Sequence, residues 1–337
     1  MYSIFHNYSL KSLNTFGIDA KADHFIEAKS VDDLKKAIKW IKDNHFQWFV
    51  LGGGSNVLFK DDYKGVVVKP AVLGIGDIAE NEQYVSLKVG AGVDWDGLVD
   101  YAVNRGLGGI ENLSLIPGSV GASPIQNIGA YGVEAKDTIE RVEGIYIDTL
   151  KPFVLTNDEC QFGYRDSIFK NELKGKVVVT HVIFRLSKAP KYAIHYGNLE
   201  EELKQYGQIN IANIRKAVIA IRNSKLPDPK ELGNAGSFFK NPVVDITLVE
   251  DLQGKFDRVP YYPVSNESVK LPAGWLIEQC GWKGKQIGKV GVHKMQALVL
   301  VNHGGCSGHD VIYLAHSIRE SVMEKFNVTL EMEVNII

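Results

Sequence analysis

Residues Leu51–Phe59 read LGGGSNVLF, and the rest of the chain is organised around them. A short apolar run, Phe46–Leu51, reads as a buried strand that feeds directly into three glycines, a serine and an asparagine. The apolar run Val57–Phe59 then resumes. Glycines without Cβ atoms allow positive φ and expose consecutive N–H groups, so such a stretch can act as a nest of donors for a phosphate or pyrophosphate. No Lys follows the glycines and there is no GxGxxG spacing, so this is neither a Walker loop nor a dinucleotide fingerprint. Taken alone, the stretch is explained equally well as a glycine-rich turn between two strands.

Working outward, Ala22–Leu51 reads strand, helix, strand. Phe25–Ala28 is apolar, Ser30 can cap a helix with Asp32 and Asp33 in its first turn, and Leu34, Ala37, Ile38 and Ile41 recur at helical spacing. The βαβ unit thus ends in the glycine loop, a geometry suited to phosphate groups, and a strand at Gly65–Lys69 completes a small α/β domain. A β-rich middle follows, with strands expected at Tyr84–Val89, Ile139–Ile147 and Val177–Leu186 and a helix at Trp95–Asn104. Within it, Gly106–Glu134 is dense in Gly, Ser and Asn yet carries Ile116, Val120, Ile125 and Ile128. A solvated linker would not hold so many apolar residues, nor a plain core element so many glycines, whereas an ordered loop wrapped around a large ligand accounts for both. The last third mixes signals: helices at Asn213–Ser224, Ala273–Cys280 and His309–Phe326, strands at Val259–Val264 and Ala297–Asn302, and a closing alternating strand over Val328–Ile336.

Composition narrows the function classes. The chain has 337 residues, enough for two or three domains, and its net charge of −2 gives no general attraction to nucleic acid or membranes. The N-terminal residues lack a basic segment followed by an apolar core, and no stretch approaches a membrane span, so a cytoplasmic protein is expected. Cys160, Cys280 and Cys306 lie far apart without CxxC spacing, which suggests neither disulfides nor a metal site. Arg165 stands between aromatic residues in GYRDSIF. It could simply pair with Asp158 or Asp166 on the surface, but the flanking rings favour a partly desolvated guanidinium suited to a carboxylate. Ser237 sits in a glycine-bordered turn, GNAGSFF.

Six stretches together resemble one family, the UDP-N-acetylenolpyruvoylglucosamine reductases known as MurB: LGGGSNVLF, IPGSVGASPIQNIGAYGVE, GYRDSIFK, KLPDPKELGNAGSFFKNP, PAGWLIEQCGWKGKQIG and LEMEV, in family order. The HYGNLE segment around Tyr196 is similar to the larger, type I form. The resemblance implies an α+β protein with an FAD-binding fold of the vanillyl-alcohol-oxidase (PCMH) type in two subdomains, residues 1–75 and 76–212, and a substrate-binding domain, 213–327. The strand 328–337 would return to the flavin region. It implies non-covalent FAD and NADPH as co-substrate, with reduction of UDP-N-acetylglucosamine enolpyruvate to UDP-N-acetylmuramate by hydride transfer from flavin N5. It further implies a cytoplasmic monomer that binds no nucleic acid, membrane or metal.

By the same resemblance Arg165 holds the substrate carboxylate, Ser237 donates the proton and Glu333, second glutamate of LEMEV, assists the electron-rich intermediate. Glu333 would have to be protonated to do so. The flavin would be held by Gly52, Gly53, Gly54, Ser55 and Asn56 on one side, with Arg165 nearby. On the other side it would meet Ile116, Pro117, Gly118, Ser119, Gly121, Ala122, Ser123, Ile128, Gly129, Tyr131 and Gly132. Tyr196, Lys225, Asn241 and Gln296 would contact substrate. Two other readings are a sugar-nucleotide-binding protein that has lost the redox step and a different flavin oxidase. Against the first, all three chemical positions carry competent residues. The flavin loops hold no His or Cys, so covalent attachment is not expected.

Overall fold

The computed structural model describes residues 3–337, and these fall into two units. The first comprises the chain up to Tyr8, Ala22–Gly54 and Lys64–Ser224; the second comprises Ser9–Lys21, Ser55–Tyr63 and Lys225–Ile337. The division cuts the glycine stretch between Gly54 and Ser55.

Besides a two-stranded sheet, Gly129–Ala130 with Val133–Glu134, the first unit contains two larger ones. In one, the strands run Ile4–Ser9, Lys21–Ala28, Tyr63–Pro70, Trp48–Val50 in spatial order, with Trp48–Val50 parallel to Val66–Val68. Helix α1, Val31–Asp43, makes the crossover; Ser30 caps it by accepting from the Asp33 N–H at 3.1 Å. Its Leu34, Ala37, Ile38 and Ile41 are buried on Ile26, Ala28, Val66 and Val68, which is why the helical spacing of those four residues fixes the packing face. The other sheet is antiparallel throughout, in the order Pro152–Thr156, Ile139–Tyr146, Val177–Ser187, Tyr84–Gly90, Ile75–Glu80. Helix α2, Trp95–Asn104, capped by Asp94, buries Trp95, Leu98, Val99 and Ala102 against it. The Trp95 indole N–H donates to the Leu113 carbonyl at 2.9 Å, so the ring is buried without an orphaned donor.

Helices α3, Leu199–Leu203, and α4, Ile211–Lys225, share a small core in which Leu199 and Leu203 meet Ile214, Ala217, Val218 and Ile221. The contacts close this unit at Ser224, one residue before the end of α4, whereas the sequence reading places a boundary before that helix.

In the second unit Gly233–Ser237, Val299–Asn302, Val290–Val292 and Gln286–Ile287 form one sheet, and Val243–Asp245, Ser268–Lys270 and Tyr262–Pro263 a smaller one. Around them lie α5, Ile246–Gln253, α6, Ala273–Gln279, and α7, Gly308–Phe326. Helix α7 starts on a capping box in which Ser307 and Asp310 bond each other's backbone N–H groups, and ends on Asn327 at φ +53°.

Two expectations need correction. Of the strand expected over Val259–Val264 only Tyr262–Pro263 is paired. Val328–Ile336 is not one alternating strand either: Met332 makes an isolated bridge to Phe239, and only Asn335–Ile336 form a ladder, parallel to Val57–Leu58. The reason is a change of partner midway, which breaks the ladder and leaves Leu330 and Val334 buried while Met332 is half-exposed.

Candidate active site

The strand Trp48–Val50 passes into the glycines with the Leu51 N–H still bonded to the Val68 carbonyl, 2.8 Å. Gly54 then takes φ +68°, and Gly53 meets a different constraint: a Cβ there would lie 2.6 Å from Gly118 Cα and 3.0 Å from Ser119 N. The glycine loop and the Gly118 loop therefore face each other backbone to backbone. Gly118–Gly121 is held in turn along Ala91–Trp95: the Trp95 N–H donates to Gly118 at 3.1 Å, Val120 to Val93 at 2.9 Å and Gly121 to Ala91 at 2.9 Å. Val120 is fully buried and Ile116, Ile125 and Ile128 pack partly buried on the same core, so the apolar residues of this glycine-rich loop are what order it.

Among the described residues, the N–H groups of Gly52, Gly53, Gly118 and Ser119 donate to no protein acceptor. Unspent donors lined by glycine fit the diphosphate of a bound FAD. Asn56 is committed elsewhere. Its side-chain amide donates to the Glu333 carbonyl at 3.2 Å and its own carbonyl accepts from Asn335 N at 3.1 Å, so it anchors the C-terminal tail.

Arg165 occupies a tight turn closed by the Gly163–Asp166 bridge, at φ +54°. Its Nη2 donates to the Gly129 carbonyl at 2.7 Å and Nη1 to Asn127 at 3.4 Å, while Lys170 Nζ holds its carbonyl at 2.9 Å. The Tyr164 ring centroid lies 5.7 Å from the guanidinium. Asn127, not expected from the sequence, is the organiser: it donates to the Gly163 carbonyl and Glu134 and accepts from the Lys136 N–H, tying the flavin-side loop to the Arg165 turn. A Cβ on Gly129 would crowd this corner, 3.0 Å from the Val133 carbonyl oxygen and 3.1 Å from Arg165 Nη1, so the glycine lets the guanidinium lie close. Four of the nine positive-φ non-glycine residues among those described, Leu115, Asn127, Tyr131 and Arg165, fall on these two segments. Strain concentrated in this way is a mark of functional loops. Tyr131 is half-buried, which pushes its phenol up, and Tyr196 packs over Gly132, 3.4 Å from a Cβ placed there.

Ser237 ends the strand Gly233–Ser237, exposed, after a register irregularity against Val299–Asn302. Asn234 builds this turn, a role the sequence reading did not assign. Its side chain donates to the Pro227 and Leu232 carbonyls at 3.2 and 2.8 Å and accepts from the Gly236 N–H at 3.0 Å, with Gly236 at φ +68°. No described residue hydrogen-bonds the Ser237 hydroxyl. The Glu333 N–H donates to the Phe238 carbonyl at 2.8 Å and Lys240 N to the Glu331 carbonyl at 2.9 Å, so the segment that carries Glu333 runs beside Phe238–Lys240, the residues that follow Ser237 in the second unit. Glu331 turns outward to an ion pair with Lys240, 2.9 Å. Asn241 and Gln296 converge on the start of α6: Asn241 Oδ1 accepts from the Ala273 N–H at 2.9 Å, and Gln296 Oε1 lies 3.1 Å from a Cβ placed on Gly274. Lys225 is the exposed last residue of α4. Arg165, Tyr131 and Tyr196 thus belong to the first unit and Ser237, Glu333, Asn241, Gln296 and Lys225 to the second.

Residues 22–148 match the FAD binding domain family and residues 228–337 the UDP-N-acetylenolpyruvoylglucosamine reductase, C-terminal domain. The chain is 49% identical over 330 residues to the UDP-N-acetylenolpyruvoylglucosamine reductase of Bacteroides fragilis, covering 98% of this chain and 99% of that protein. To the enzyme of the same name from Escherichia coli (strain K12) it is 46% identical over 331 residues, covering 98% and 96%. It is similar along its whole length to the crystal structure of UDP-N-acetylenolpyruvylglucosamine reductase (MurB) from Thermus caldophilus, with TM-score 0.68, 25% identity and 98% of that chain covered.

Proposed function

The chain belongs to the family of UDP-N-acetylenolpyruvoylglucosamine reductases, and from that premise we propose how its residues divide the work. The reaction is the FAD-dependent reduction of the enolpyruvyl sugar nucleotide in peptidoglycan synthesis, with NADPH as reductant. The fold is an FAD-binding fold followed by the family's C-terminal domain. When bound, FAD supplies the hydride, from N5, to the terminal carbon of the enolpyruvyl group.

That addition leaves negative charge on the carbon beside the carboxylate, and the protein must stabilise it and then protonate it. Arg165 holds the carboxylate as the charge grows. Its guanidinium is already aimed by the Gly129 and Asn127 carbonyls, so little reorganisation is needed at the moment of reaction. The Ser237 O–H gives its proton to the electron-rich carbon: the O–H bond breaks as the new C–H bond forms. Glu333, protonated, donates to the developing enolate oxygen and lowers its charge. The glycine loop and Gly118–Ser119 receive the FAD diphosphate, and Tyr196, Lys225, Asn241 and Gln296 hold the sugar nucleotide. The first unit is the flavin-binding part, and residues from Lys225 onward bind substrate together with Arg165 and Tyr196 of the first unit.

The observation that supports this reading is the bond of the Glu333 N–H to the Phe238 carbonyl, next in sequence to Ser237, whose hydroxyl no described residue engages. We propose that the protein acts as a cytoplasmic monomer; no described helix is long and apolar enough to cross a membrane. As a test, NADPH should bleach the yellow protein and the enolpyruvyl substrate should restore the colour. Ser237→Ala should still be bleached but recolour roughly 10²- to 10⁴-fold more slowly, the range of general acid catalysis. Recolouring within a few-fold of wild type would remove Ser237 as the donor.

A further inference from the structure

Helix α4 carries two arginines, Arg215 and Arg222, seven residues apart and so on nearly the same face. Their surroundings differ. Arg215 is fully claimed: Nη1 and Nη2 grip Asp96 at 2.6 and 3.0 Å, and Nε lies 3.3 Å from Asp100. Asp96 also accepts the Leu115 N–H at 2.5 Å, so it has little left to offer.

No described residue claims Arg222. Its Nε is buried without a hydrogen-bond partner, and among the described residues its guanidinium makes no ion pair. Burial pulls this guanidinium below its ordinary value; Tyr131 and Asp96 oppose that shift and Arg165 reinforces it. None of these three groups can serve as its counter-anion. Asp96 is spent on Arg215, burial keeps the Tyr131 phenol neutral, and Arg165 is a second cation. Tyr131, two residues from the Gly129 carbonyl that Arg165 grips, packs on the α4 core that includes Ile221, next in sequence to Arg222. A dehydrated, unmatched donor in the field of a second cation is costly unless an anion joins them.

We infer that Arg222 is the second half of an anion receptor whose first half is Arg165, and that it takes a planar, delocalised anion. A guanidinium fork suits such a group because it can donate two parallel hydrogen bonds. Resting on the function proposed above, two anions of this chemistry enter the first unit: the enolpyruvyl carboxylate and the pyrimidine edge of the reduced flavin. They share the chemistry, and measurement separates them.

Arg222→Lys keeps the charge without the fork, and Arg222→Met removes both. On purified holoenzymes with flavin content and far-UV circular dichroism matching wild type, two quantities are read. One is the dissociation constant of the enolpyruvyl sugar nucleotide for the oxidised enzyme, from perturbation of the flavin spectrum. The other is the two-electron flavin potential, by equilibration with a reference dye. If the carboxylate is the partner, substrate binds at least tenfold more weakly to both variants while the potential is unchanged. If the reduced flavin is the partner, the reduction equilibrium falls tenfold, about 30 mV, while oxidised-state substrate affinity is unchanged. Reduced FAD retention by a folded Arg222→Lys chain counts with the flavin arm. Both quantities within twofold of wild type in both variants overturn the inference. A wild-type chain that binds no flavin would instead sink the function on which it rests.

Discussion

Gly53 and Glu333 show how differently a residue can earn its place. Gly53 needs its missing side chain because the Gly118 backbone occupies the space, rather than because of positive φ, which belongs to Gly54. Gly53→Val should therefore push two loops apart and yield a folded but colourless protein. Flavin stoichiometry by absorbance checks this, and a normal yellow Gly53→Val protein would move the diphosphate elsewhere. For Glu333 the local sequence gives little, since a glutamate on an alternating segment reads as a solvated strand face. The structure separates it from its neighbour: Glu331 is exposed and paired with Lys240, whereas Glu333 is half-buried with its N–H on Phe238. Glu333→Gln should slow flavin reoxidation by substrate by roughly 10²-fold or more and leave reduction by NADPH near wild type, while Glu331→Gln does neither. Stopped-flow measurement of both half-reactions decides it; equal small effects would return Glu333 to the solvated face. The half-buried guanidinium of Arg165 beside the Tyr164 ring is legible in its aromatic flanks. Asn127 and Asn234 are not, because a buried amide that spends its donors and acceptor on distant backbone has no local pattern.

At the scale of elements, strands and helices with period and caps were readable: α1 from Ser30 and its four apolar positions, and α2 over Trp95–Asn104. The edge strands Ile75–Glu80 and Pro152–Thr156 were missed because each lies largely exposed at a sheet edge, so burial imposes little pattern on them. How α2 reaches the flavin-side loop was also invisible. Asp96, in its first turn, bonds the Leu115 N–H at the strained start of that loop and grips Arg215 on α4. Burial raises the Asp96 carboxyl, but the bonds from Arg215 and Leu115 outweigh it and hold the group below its ordinary 3.8. The folded value being depressed, this contribution is complete above the ordinary value and is lost as pH falls through the lower, folded one. Asp96→Asn should cost about 2 kcal/mol near neutral pH, under the figure for a fully buried pair, since the Asp96 side chain is 25% exposed. The gap to wild type in urea midpoint should narrow as the pH drops below 3.8. A gap that stays constant through that range would assign the loss to packing.

Over the whole molecule, what sequence patterns cannot convey is which distant segments pair. The resemblance placed the C-terminal residues near the flavin region, but nothing in their alternation showed that Asn335–Ile336 would run beside Val57–Leu58, immediately after the glycines. Beyond the bonding within the two-residue ladder itself, four hydrogen bonds hold that junction: Asn335 N and Nδ2 both donate to the Asn56 carbonyl, Lys60 N to the Ile337 carbonyl and Ile337 N to the Leu58 carbonyl. Deleting residues 335–337 removes all of these while leaving Glu333 in the chain, its backbone still bonded to Phe238 and Asn56. At a net 0.5–1.5 kcal/mol each, toward the lower figure for bonds at an exposed chain end, the loss is about 2 kcal/mol. That lowers the melting temperature by roughly 4–8 °C in a unit of this size. Misplacing an acid by about 1 Å can cost 10²-fold, so reoxidation by substrate should fall at least tenfold while NADPH reduction, which does not call on Glu333, holds. Ile337→Ala keeps every one of these backbone bonds and should behave as wild type in both half-reactions. If the truncated chain is reoxidised at the wild-type rate, the tail does not position Glu333, and its pairing with residues 56–60 serves stability alone.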